Sequence, residues 1–123
     1  MKIVVIGKKN LLHWDDYVSE AFEKLGHDVY HFQINKRPLL IKIYRGISKT
    51  ILGKKIGNKV TDSIYANELT TKINNIKPDL IFYTSASFIP EEFYKIASRC
   101  ESQPKLFAWD CDGGAAHPDN KYL

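Results

Sequence analysis

The stretch KIVVIGKKNLLHWDDYVSEAFEKLGHDVYHFQI, Lys2 to Ile34, changes its hydrophobic period twice. Lys2 to Ile6 is a short apolar run rich in β-branched residues, closed by Gly7. A run without polar alternation predicts a strand buried on both faces, as in a parallel sheet. From Trp14 the spacing becomes helical: Trp14, Tyr17, Val18, Ala21, Phe22 and Leu25 recur at the intervals of one helix face. Asp15 and Asp16 fall in the first turn, where the helix dipole favours acids. Gly26 is placed to stop the helix, and Val29 to Ile34 reads as a second strand. Strand, helix, glycine stop and strand together make a βαβ unit.

The rest of the chain repeats that alternation. Pro38 can open a helix, with Leu40, Ile43, Tyr44, Ile47 and Ile51 on one stripe and Lys42, Arg45 and Lys49 off it. Gly53 and Gly57 are expected to interrupt, and a further helix is expected from Lys59 to Ile76 with Ile64, Leu69 and Ile73 inward. Asp79–Thr84, introduced by Pro78, is the third predicted strand. Pro90 opens a helix carrying Glu91 and Glu92 at its positive end, and Leu106–Asp110 is the fourth strand. This order predicts the α/β class: a three-layer, Rossmann-like, doubly wound parallel sheet of about four strands in the order 2-1-3-4. The 123 residues are one domain by length. A sheet this small is short for its class, so residues 1–123 read as part of a larger protein.

Composition narrows the setting. The chain is 44% hydrophobic, enough for a core. MKIVVIG is too short an apolar run for a signal peptide, and no stretch approaches the roughly 20 apolar residues of a membrane span. Cys100 and Cys111 form no CxxC pair, so a reduced, cytoplasmic location is expected. The net charge of +4 is unevenly spread. Eight of the 18 basic residues lie between Lys36 and Val60, where there is no acid; the other ten face all 14 acids in the remainder. A local excess implies a local partner. Lys42, Arg45, Lys49, Lys54 and Lys55 are candidates for an anion patch on the inner face of a membrane. The alternative is a solvated or packed helix face. Nucleic acid is disfavoured, because the window lacks interleaved exposed aromatics and any known motif.

In open α/β sheets ligands bind beyond the carboxyl ends of the strands. Those ends carry Gly7 and Lys8, then Ser85 and Ser87, then Asp110, Asp112 and Gly113. GKKNLLH is neither a dinucleotide fingerprint nor a P-loop. Lys8 can meet an anion near a helix N-terminus, and Ser85 and Ser87 can bond sugar hydroxyls. Histidine as a residue type suits proton transfer near neutral pH, and His13 stands just before the first helix; its alternative is capping beside Trp14. Asp110 and Asp112 have the look of a metal-binding Asp-x-Asp, but they read better as ligand or catalytic carboxylates, with Gly113 allowing close backbone approach. No metal and no cofactor is assigned.

MKIVVIGKKNLLHWDDYVSEAFEKLGHDVYHF, a basic helical insert, IKPDLIFYTSASFIPEEF and PKLFAWDCD together resemble the N-terminal half of glycosyltransferases of the GT-B fold. The nearest likeness is the CgeB-type, spore-maturation-like group. The resemblance spans nearly the whole chain. It implies an acceptor-side domain, inactive alone, whose nucleotide-sugar donor sits on a missing second domain. It also implies that His13 and Asp110 or Asp112 face the cleft, with one of them as base. WDCDGG departs from the group's commoner aspartate-proline ending, which puts the role of Asp112 in question. The rival reading is a non-catalytic, flavodoxin-like or receiver-like binding or regulatory domain. The phospho-accepting version is disfavoured, since strand three ends TSAS with no aspartate.

Overall fold

The computed structural model describes residues 1–8, 13–34, 39–84 and 89–109. In chain order the elements are β1 (Lys2–Gly7), α1 (Trp14–Lys24), β2 (Asp28–Gln33), α2 (Leu39–Leu52), α3 (Lys54–Ile76), β3 (Leu80–Thr84), α4 (Glu91–Arg99) and β4 (Lys105–Trp109). The four strands form one sheet in the order β2-β1-β3-β4, every neighbouring pair parallel. β1 is therefore central, and Ile3 to Ile6 are fully buried. This is the predicted Rossmann-like α/β architecture.

Side-chain alternation divides the core between the two faces. Val4, Ile6, Ile81 and Tyr83 meet Tyr65, Ala66, Leu69 and Ile73 of α3 and Phe93 and Ile96 of α4 in one buried cluster. On the other face α1 lies over β1 and β2. There Phe22 meets Phe82 edge-on at 5.5 Å and Trp14 meets Trp109 at 5.3 Å. α1 does not reach all of this face: Phe107 stacks on Phe82 at 5.0 Å yet is 53% exposed.

Three local expectations need correction. α1 ends at Lys24, so Leu25 lies beyond the helix and is exposed. α3 begins at Lys54, not Lys59, and runs through Gly57. Gly57 is inside the helix because α2 crosses it: a Cβ there would stand 2.8 Å from the backbone of Ser48 and Lys49. Only Gly53, at φ 84°, breaks the chain direction, so α2 and α3 form a hairpin. The third correction is Ile64, which is exposed, whereas Leu69 and Ile73 point inward as expected.

Tyr83 ties the core to α4. Its hydroxyl donates to the Phe93 carbonyl at 2.6 Å and the ring is fully buried. Burial, then the nearby Tyr94 and Cys100, push the phenol well above its ordinary range. Burial also raises the Cys100 thiol. The folded state therefore keeps the Tyr83 proton above the ordinary value of 10.0, where the unfolded chain releases it. Stability must then fall as pH rises past 10, by about 1.4 kcal/mol per pH unit for one proton. Tyr83→Phe is expected to lose about 1 kcal/mol at neutral pH through the missing hydrogen bond, and to flatten the alkaline slope by one proton. Urea unfolding across this pH range measures both. Equal slopes in the two proteins would show that Tyr83 ionises normally in the fold.

Candidate functional site at the carboxyl edge of the sheet

β1 and β2 are parallel and in register, so Gly7 lies beside Gln33 and Val5 beside His31. Both β2 side chains point to the α1 face, where the first turn of α1 lies. Asp15 enters this face fully buried, its side chain 1% exposed. It can do so because residue 7 is glycine. A Cβ there would fall on the Asp15 Cβ and stand 2.7 Å from Thr84 Oγ1. Asp15 Oδ2 accepts from Gln33 Nε2 at 2.8 Å and lies 2.7 Å from His31 Nε2. Ser19 Oγ closes the turn by donating to the Asp15 carbonyl at 2.8 Å.

A second carboxylate extends the cluster towards solvent. Asp16 Oδ1 is 3.6 Å from His31 Nδ1, and Asp16 Oδ2 is 3.0 Å from His13 Nδ1. His13, Asp16, His31, Asp15 and Gln33 thus form one polar chain running from the surface inward. His13 is the helix N-cap: its carbonyl accepts from the backbone N–H of Asp16 and Tyr17, each at 3.1 Å. Its φ of 50° is left-handed. For a residue with a Cβ that conformation costs about 1 kcal/mol or more and concentrates at functional sites. The capping alternative weighed for His13 is met by its backbone, while its ring pairs with Asp16. Two buried polar atoms flank the chain: Trp14 Nε1 and Gln33 Oε1 have no hydrogen-bond partner among the described residues.

Asp15, Asp16 and His31 each offer one ligand atom, all within 4.8 Å of one another. One imidazole and two carboxylates are donor chemistry for zinc, manganese or iron; here His31 bonds to Asp15 and faces Asp16 at 3.6 Å. The metal-like triplet visible in the sequence is Asp110–Asp112, and this grouping is not visible there. In the sequence Asp15 and Asp16 read as helix-dipole partners. The only local signal was the alternation of His31 with Gln33 on one strand face, which does not name Asp15 as their partner.

The other expected site residues divide as follows. Gly7 is at the carboxyl end of β1, where its missing side chain makes room for Asp15. Lys8 follows it and is exposed. Ser85, Ser87, Asp110, Asp112 and Gly113 lie outside the described residues. Trp109, which precedes Asp110, packs on Trp14, which follows His13. A shallow pocket of about 520 Å³ opens at the opposite end of the sheet, between Lys2, His27, Asp28, Lys77 and Asp79. It lies at the amino ends of the strands, away from the edge at which parallel sheets bind ligands, and the carboxyl-edge cluster is the stronger candidate. The chain matches no protein-family model, no curated protein and no solved structure.

Proposed function

We propose that this chain is the acceptor-side domain of a GT-B-type sugar transferase, with His13 as the base that deprotonates the acceptor hydroxyl. The observation that carries the proposal is the His13–Asp16 pair at the carboxyl edge, 3.0 Å between Nδ1 and Oδ2. A carboxylate on Nδ1 fixes the ring and leaves Nε2 as the atom that takes the proton. The acceptor oxygen then attacks the anomeric carbon, and the bond from that carbon to the nucleoside diphosphate breaks. His31, bonded to Asp15, faces Asp16 from behind at 3.6 Å. The Trp14–Trp109 contact supports a shared cleft for His13 and the Asp110–Asp112 segment. The open apolar surface around Phe107 is consistent with a further packing partner, and a second α/β domain would supply the donor site.

In a polypeptide carrying this domain with its donor domain, His13→Ala is expected to lower kcat for sugar transfer by roughly 10²–10⁴. The dissociation constant for the nucleotide sugar should stay unchanged, because the donor is held elsewhere. Asp16→Asn should give a smaller loss. Transfer from a panel of nucleotide sugars, followed by nucleoside diphosphate release, measures this. Full activity in His13→Ala, or an intact protein that turns over no nucleotide sugar, would refute the reading in favour of a non-catalytic binding domain.

A further inference from the structure

The stripe on α2 faces out. Leu40, Ile43, Ile47 and Ile51 are 79%, 52%, 54% and 73% exposed, and Tyr44 is exposed among them. The buried residues of the helix are instead Ile41 and Ser48, about 100° round from the stripe, where α2 meets α3. Leu52, Ile56 and Ile64 are exposed as well, so apolar exposure continues past the Gly53 break into α3. Contiguous exposed apolar surface on this scale marks a surface that something else covers.

Charge says what covers it. Lys42, Arg45, Lys49, Lys54, Lys55 and Lys59 all belong to this hairpin, and the first acid is Asp62. By helical spacing Lys42, Arg45 and Lys49 lie across α2 from the stripe, and Lys54 and Lys55 stand at the hairpin tip. An apolar face with a wholly basic opposite face is the pattern of a helix lying in a lipid interface. A second copy of the chain would bury the apolar stripe equally well, but gives no reason for the absence of acids. Among the described residues no helix is long and apolar enough to cross a membrane, so the contact is with the surface.

We propose that the α2–α3 hairpin docks on an anionic membrane surface, with Leu40, Ile43, Tyr44, Ile47 and Ile51 entering the interface and the lysines drawn by the headgroups. The contact is independent of His13 chemistry. One sequence-based expectation changes. Arg45 and Lys49 are half-buried against α3, and Arg45 Nε donates to Asn58 Oδ1 at 2.9 Å. Substituting them would disturb the hairpin, so the charge test belongs at exposed Lys54, Lys55 and Lys59.

The test is co-sedimentation of the chain with vesicles of phosphatidylglycerol and phosphatidylcholine, against phosphatidylcholine alone, with circular dichroism as a check on folding. Binding is expected only to the anionic vesicles and should weaken steeply with salt. Each cation near the surface contributes about fivefold. Lys54→Gln, Lys55→Gln and Lys59→Gln together should therefore reduce binding on the order of 100-fold. Ile43→Ser, Ile47→Ser and Ile51→Ser should reduce it by at least tenfold with the charges intact. Absence of binding at low salt would overturn the proposal. So would a dimer in solution that the serine variants dissociate, since the stripe is then an interface between copies. So would a short DNA duplex that binds the chain regardless of the serine substitutions, since the window then serves nucleic acid.

Discussion

Gly7→Ala should cost this protein about 3 kcal/mol of folding stability, at the upper end of what overpacking a core produces. The added methyl would fall on the Asp15 Cβ, and Thr84 Oγ1 closes the space at 2.7 Å. Neither neighbour has room to yield: Asp15 is anchored by His31 and Gln33, and Thr84 is 1% exposed on the adjacent strand. The entropy gained in the unfolded chain on replacing glycine is worth only about 0.4–1 kcal/mol, so the clash decides the sign. Against a total of about 5–15 kcal/mol, Gly7→Val should leave little folded protein. Urea unfolding of the alanine variant is the measurement. A loss below 1 kcal/mol would mean that α1 can retreat from β1, and that the Asp15 cluster is not held as described.

Asp15→Ala should cost about 2–4 kcal/mol. One buried carboxylate oxygen receives Gln33 Nε2 and stands 2.7 Å from His31 Nε2, so its removal strands two polar groups at a half-buried site. Orphaning a buried donor costs about 1–3 kcal/mol, so two cost about 2–6 kcal/mol, and partial access of solvent to His31 keeps the sum in the lower part of that range. Asp15→Asn keeps the shape and should lose less. The same substitution should loosen Asp16, which His31 also faces, and so weaken the His13–Asp16 pair. Chemical-shift titration of the His13 ring would report that change independently of stability. If Asp15→Ala unfolds like the wild type and His13 titrates unchanged, the polar chain has no internal coupling.

Much of this architecture is legible in one sequence because it is written in local periods. Ile3 to Ile6 form an unbroken apolar run and become the central strand; Gly26 adopts φ 85° where the first helix ends. Alternating strands and helices leave few topologies, and the order β2-β1-β3-β4 is one of the common doubly wound arrangements. His13 was legible as a candidate because it stands between a strand and its crossover helix.

The Asp15–His31–Gln33 junction was not legible. Its members are 16 and 18 residues apart, and they meet only because β1 and β2 align in parallel with a glycine between them and the helix. Nor could the α2 stripe be assigned to core or solvent. A 3.6-residue period shows that a helix has an apolar face, but not which of its faces a neighbour covers. The sequence by itself determined the elements and their order, since these depend on residues close along the chain, and their alternation implied a parallel sheet. The tertiary structure alone decided that α2 lies against Gly57 of α3 through Ser48 and Lys49, buries Ile41 in the core, and leaves its larger apolar face open. Helix packing is set by where two backbones can approach most closely, and that depends on a small residue in the partner helix.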